Sequence, residues 1–166
     1  HRGHFYHIET CKNLANADGA VCVMGGNWLQ RGEPALVNKW ARTKMALTAG
    51  VDLVFELPTA YATRSANWFA HGAVRLLTAA GVVTHLAFGS ELGELAPLED
   101  IARVLVTEPA PFKKYLLAGL DQGLAFPLAR GLALRHYFEL HRPASGFDVA
   151  QLAAAFRQPN NILAVE

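Results

Sequence analysis

Cysteine is scarce in this chain. Cys11 and Cys22 are the only two, and their spacing matches no metal-ligand pattern. That excludes a disulfide scaffold and a cysteine-rich zinc site, and both thiols read as reduced and buried. Charge of one sign is lacking as well. Fifteen Lys and Arg against fourteen Asp and Glu leave a formal net charge of +1. No global field therefore drives the chain onto nucleic acid or an anionic membrane, although a local basic patch remains open. No apolar run approaches the roughly 18 residues that span a bilayer. No signal peptide is visible. These absences point to a cytoplasmic protein with no membrane partner. The seven histidines have no metal-ligand neighbours: His71, His136 and His141 stand alone, so no protein metal site is expected.

What is present is apolar and ordered in blocks. Hydrophobic residues make up 52% of 166 residues, enough for a core and too many for disorder. Residues 3–15 carry apolar groups at helical spacing. "AVCVM" (20–24) is a short buried strand, and "GGNWLQRGEP" (25–34) a loop. Pro34 suits the first turn of a helix that runs to about Ala49 and stops at Gly50. "VDLVFELP" (51–58) is a second strand, followed by a polar loop, "TAYATRS". A helix follows from about Ser65 to Ala80, capped by Gly81. "VVTHLAF" (82–88) predicts a third strand, with His85 inside it as a structural residue. Strands alternating with helices indicate parallel βαβ units and a sheet covered on both faces. After Leu92 no β-rich run appears. Residues 97–106, 111–120, 126–141 and 148–156 read as helices.

Ligands of open α/β sheets bind beyond the carboxyl ends of the strands. The sequence places glycine, amide, hydroxyl and charge there: Gly25 to Glu33, then Glu56 with Thr59 to Ser65, then Gly89-Ser90-Glu91. The opening "HRGH" adds a further feature. A tag remnant is one source of such a stretch, but tags are runs of consecutive histidines and this one leads straight into patterned sequence. Two imidazoles, His1 and His4, at a helix start sit by free N–H groups and the positive dipole end. Gly3 removes a side chain where a nucleotide must approach closely. Imidazoles there can donate to phosphate oxygens as charge develops. A structural role for these histidines is the competing reading. His7 is a third phosphate contact or a packed helical histidine. Arg31 is an anion contact or a solvated loop cation. Lys39 and Arg42, three apart on one face, contact phosphate or RNA or form a solvated face. Trp28, Trp40 and Trp68 read as core or lid.

The blocks "HRGHFYH", "VMGGNWLQRGEPALVNKWARTKMAL", "GVDLVFELP", "SANWFAHGAV", "FGSE" and "NNILAVE", in that order, resemble the tRNA(Met) cytidine acetate ligase family of the nucleotidyltransferase superfamily. The resemblance covers most of residues 1–91 and the last seven or so. It implies a Rossmann-like nucleotidyltransferase parallel sheet with helices on both faces, plus an all-helical extension. It implies a core at 1–92 without its first strand, a helical extension at 93–158, and a segment at 159–166 returning to the nucleotide site. The family begins with a strand before H-x-G-H and continues beyond N-N-I-L, so the chain is expected to be shortened at both ends.

The activity implied is ATP-dependent conversion of acetate to acetyl-adenylate. Acetyl transfer to N4 of the wobble cytidine of elongator tRNA(Met) follows. His1 and His4 correspond to the catalytic histidines. His1, Gly3, His4, His7, Gly89 and Asn161 correspond to the ATP-binding set, with Asn160 the alternative for Asn161. Arg31, Lys39 and Arg42 are candidate phosphate or tRNA contacts. ATP with Mg²⁺ is the expected cofactor, and acetate and tRNA(Met) the partners. Two other readings stay open: a nucleotidyltransferase adenylating a phosphorylated cofactor precursor, and a non-catalytic nucleotide- or RNA-binding module.

Overall fold

The computed structural model describes residues 2–166. Its contacts divide the chain into two compact units, His1–Phe88 and Gly89–Glu166. The first unit runs α1 (Arg2–Ala15), β1 (Val21–Gly25), α2 (Lys39–Thr48), β2 (Leu53–Leu57), α3 (Thr59–Ala62) and α4 (Ala66–Ala80). β1 and β2 pair in parallel, with Val21 opposite Leu53 and Gly25 opposite Leu57. A parallel pair needs a crossover, and α2 supplies it. α4 packs against both strands, α3 against β1 and α2 against β2. Val51, Leu57 and Ala62 are the hydrophobic residues buried in this unit among those described.

Three local expectations are corrected. Pro34 does not open the helix. It bridges to Trp28 in an antiparallel pair, and α2 starts at Lys39. The stronger start signal is Asn38, whose Oδ1 accepts from the Ala41 N–H at 3.0 Å and so caps the helix. The stretch "TAYATRS" is not all loop: residues 59–62 form one helical turn, opened by Pro58 at φ −54°. Residues 82–88 form no strand. A strand exists by its ladder, and among the described residues nothing pairs with this segment, which leaves Val82, Leu86 and Phe88 exposed. The final segment is helical, α9, with Pro159 in its first turn.

The second unit is all helix: α5 (Leu95–Thr107), α6 (Ala110–Asp121), α7 (Phe126–Leu140), α8 (Val149–Ala155) and α9 (Pro159–Val165). Leu98, Ile101 and Val104 repeat every three residues on α5, so one stripe of that helix is apolar. They meet Phe112, Ala133, Leu134, Phe138, Phe156 and Val165 in one core. α6 lies along α7, and α9 packs against α5. Among the described residues no helix is long and apolar enough to cross a membrane.

Gly72 lets α3 and α4 meet. A Cβ there would lie 2.7–2.8 Å from the Cβ, Cγ and Cδ1 of Tyr61, the rigid root of that side chain. Alanine would gain about 1 kcal/mol of helix propensity. Forcing the Tyr61 ring off its seat costs about 1–3 kcal/mol. Gly72→Ala is therefore expected to lower stability, read as a lower urea midpoint. A raised midpoint would show that α3 gives way without cost.

Candidate nucleotide site

The histidine-bearing helix is held at its far end. α1 has no buried residue. Lys12 Nζ donates to Asp52 Oδ2 at 2.8 Å and approaches the Gly50 carbonyl at 3.5 Å. The same Asp52 oxygen accepts from the Ala20 N–H at 2.8 Å. One carboxylate therefore ties α1, the entry to β1 and the entry to β2. The Lys12 hydrogen bond, then the Ala20 N–H, hold the Asp52 carboxyl below its ordinary value of 3.8, against a smaller opposing effect of burial. Gly3 and His4 lie in the first turn of α1, and His4 is eight positions before Lys12, or about 12 Å along the helix. His7 follows His4 by three positions, so the two share a face. The Nε2 of His7 is buried and has no hydrogen-bond partner among the described residues. A buried imidazole nitrogen left unpaired costs free energy, and a phosphate oxygen would satisfy it. His1 lies outside the described residues. A groove of about 520 Å³ runs between α1 and Ala49–Gly50, lined by Phe5, Ile8, Glu9, Lys12 and Asn13. None of the sequence-predicted site residues lines it.

The carboxyl ends of β1 and β2 form a second polar cluster. Arg42 Nη1 donates to the carbonyls of Gly25 and Gly26 at 2.6 and 2.5 Å. Lys39 Nζ pairs with Glu56 Oε2 at 2.7 Å, and the Lys39 N–H donates to Asn27 Oδ1 at 2.9 Å. Glu56 lies over Gly26, where a Cβ would collide with its carboxylate. Lys39 and Arg42 thus turn onto the strand ends: Arg42 holds the Gly25 and Gly26 carbonyls, and Lys39 holds the Glu56 carboxylate and the Asn27 side chain. Arg31 is exposed at the tip of a tight turn closed by Gly32 N–H donating to the Leu29 carbonyl at 2.9 Å. Sequence reasoning placed Glu56 at a strand end but missed its pairing with Lys39. The lone acid in an otherwise apolar strand was the available signal.

The third group belongs to the second unit. Gly89 is exposed, and a Cβ built on it meets nothing within 4 Å. Asn161 is 1% exposed. Its Oδ1 accepts from Ser90 Oγ at 2.7 Å and from the Glu91 N–H at 3.0 Å, and its Nδ2 donates to the Ala155 carbonyl at 2.9 Å. Glu91 answers across the same gap: Oε1 accepts from the Asn160 N–H at 3.2 Å and Oε2 from the Asn161 N–H at 3.0 Å. Burial acts to raise the Glu91 carboxyl, but these hydrogen bonds outweigh it and the net direction is down. Both polar ends of the Asn161 side chain are therefore engaged inside the protein. Asn160 is exposed beside it.

The whole chain, residues 1–166, matches the HIGH Nucleotidyl Transferase family. This chain is a member of that family. Two curated relatives are named tRNA(Met) cytidine acetate ligase. One, from Acetivibrio thermocellus, is 50% identical over 166 residues, which is all of this chain and 38% of that protein. The other, from Syntrophomonas wolfei, is 52% identical over the same length and also covers 38%. The resemblance seen in the motifs therefore extends through the helical stretch between them. The chain spans about two fifths of the length of the curated relatives it matches. Among solved structures, the crystal structure of Thermotoga maritima TmcAL bound with alpha-thio ATP has a TM-score of 0.92 at 42% identity. That match covers 99% of this chain and 39% of that one. HIGH nucleotidyltransferase membership and the parallel β1–β2 pair agree with the Rossmann-like fold. Among the described residues no group of three or more His, Cys, Asp or Glu could hold a metal ion.

The Asp52 junction gives a signed pH dependence. A carboxyl lowered by folding stabilises fully above its unfolded value, and that contribution fades as pH falls towards the folded value. Asp52→Asn is expected to lower the urea midpoint at pH 7 and to flatten its decline between about pH 5 and pH 2. Parallel midpoint curves for the two proteins would show that Asp52 does not couple α1 to the sheet.

Proposed function

We propose that this chain is the adenylating portion of a tRNA(Met) cytidine acetate ligase. It would activate acetate with ATP and pass the acetyl group to N4 of the wobble cytidine of elongator tRNA(Met), in the cytoplasm. The observation that carries this reading is the 0.92 TM-score, at 42% identity over 99% of the chain, to a TmcAL bound with alpha-thio ATP. The arrangement of α1 supports it. Gly3, His4 and His7 lie in the first two turns of α1, and His4 and His7 share one face beside the positive end of the helix. His1 completes the H-x-G-H element.

In the first step an acetate oxygen attacks the α-phosphorus of ATP. A P–O bond to acetate forms as the bond to the β-phosphate oxygen breaks, and pyrophosphate leaves. The charge that develops on the leaving group needs donors already in place. Imidazole N–H groups of His1, His4 and His7 supply them, with Arg31 as an exposed cation at its turn. Lys39 and Arg42 act one step back: Arg42 holds the Gly25 and Gly26 carbonyls, and Lys39 holds Glu56 and the Asn27 side chain. Gly89 and Asn161 correspond to further ATP-binding positions on the family resemblance, and within the second unit Asn161 holds the turn that follows Gly89. Mg²⁺ would arrive with ATP, ligated by phosphate oxygens, and would offset phosphate charge; the described residues offer no three-group cage of their own. In the second step the N4 amine of cytidine attacks the acetyl carbonyl, AMP leaves, and the amine loses a proton. Water must be kept from the mixed anhydride between the steps.

The full-length protein, given ATP, acetate and elongator tRNA(Met), is expected to form N4-acetylcytidine, detected by mass spectrometry of the digested tRNA. His4→Ala should cut kcat for acetate-dependent pyrophosphate release by about 100-fold while tRNA binding is retained. A wild-type protein that binds the tRNA but yields no acetylated nucleoside would overturn the reading.

A further inference from the structure

Glu91 does something that the reaction above does not use. Gly89 has no side chain, and an atom placed at its Cβ position would meet no neighbour within 4 Å. The residues that follow it are fixed strongly. Ser90 Oγ donates to Asn161 and accepts from the N–H groups of Leu92 and Gly93 at 3.1 and 3.3 Å. The Glu91 carboxylate spans two consecutive amides, those of Asn160 and Asn161, one oxygen to each. Asn161 Oδ1 returns the contact to the Glu91 N–H. The result is a reciprocal clasp. The acid of the turn holds the backbone of α9, and the amide of α9 holds the backbone of the turn.

We infer that Glu91 is a positioning residue for the adenylation site. Its carboxylate fixes the Ser90–Gly93 turn against Asn160 and Asn161 and so sets where the Gly89 backbone meets the nucleotide. The inference rests on the nucleotide reading given above. The chemistry singles out a carboxylate. Both of its oxygens are acceptors, matched to two N–H donors, and the ionised form makes both bonds charge-assisted. Glutamine of the same shape would offer one acceptor and turn an NH₂ group towards the other amide. One bond would become a donor–donor clash, and the turn would relax. A displacement of that kind weakens a bound nucleotide without removing any group that reacts.

The test uses the full-length protein and acetate-dependent pyrophosphate release at varied ATP. Glu91→Gln is expected to raise KM for ATP about tenfold, with kcat within about twofold and KM for acetate unchanged. Ser90→Ala, which cuts the clasp from its other side, should move KM for ATP in the same direction, and it carries the test if Glu91→Gln does not fold. A KM for ATP equal to wild type in the folded variant, with only a lower melting temperature, would overturn the proposal and leave the clasp a stability element. A wild-type protein that neither binds nor turns over ATP would instead sink the nucleotide reading on which the proposal stands.

Discussion

The parallel ladder between β1 and β2 stops with four residues at its carboxyl end, Met24 and Gly25 opposite Glu56 and Leu57. The chemistry of the first unit depends on how that end is finished. Backbone groups beyond a ladder must find other partners or water. Here the carbonyls of Gly25 and Gly26 turn onto the Arg42 guanidinium, and Glu56 turns onto Lys39. α2 is thus more than the crossover that a parallel pair requires. Its first turn is the lid on the strand ends. Two cations that look solvent-facing on a helical wheel are drawn inward because the strand ends present unpaired oxygen.

The two units solve different problems. The second unit has a continuous core in which α5 and α7 carry most of the apolar contacts. The first has few fully buried hydrophobic residues and relies on specific polar junctions: Asp52 with Lys12 and Ala20, Arg42 with two carbonyls, and Asn38 at the cap of α2. Exposed ion pairs alone contribute little, ~0–1 kcal/mol each. Their value here is directional. Each fixes one element end against another, which a slippery apolar contact cannot do.

Much of this architecture was legible in the sequence. The helices at 2–15, 66–80 and 95–140 follow from apolar periodicity, and the parallel pair from strand-helix alternation. The failures have physical causes. The apolar, β-branched run at 82–88 carries the composition of a strand, but composition does not supply a partner, and pairing is a non-local event. Pro34 was legible as a helix opener because φ near −65° suits that position. A cap four residues later won, since Asn38 satisfies a helix N–H and Pro34 cannot. Part of the candidate site was legible as motif. Gly3, His4 and His7 do lie on one helix, and Gly89 is an exposed residue just before the Ser90–Gly93 turn. What sequence could not convey is where the Asn161 amide points. Residues 90 and 91 lie 71 and 70 positions from residue 161, and only folding reveals that they spend their polar atoms on it.

That arrangement divides labour within five residues of chain. Ser90 and Glu91 answer to the protein's interior, while the space around Gly89 answers to nothing inside it. A substitution at 90 or 91 therefore disturbs folding and local geometry together. A methyl group at 89 would touch none of the described residues, so a substitution there that altered function without altering stability would report on something other than folding.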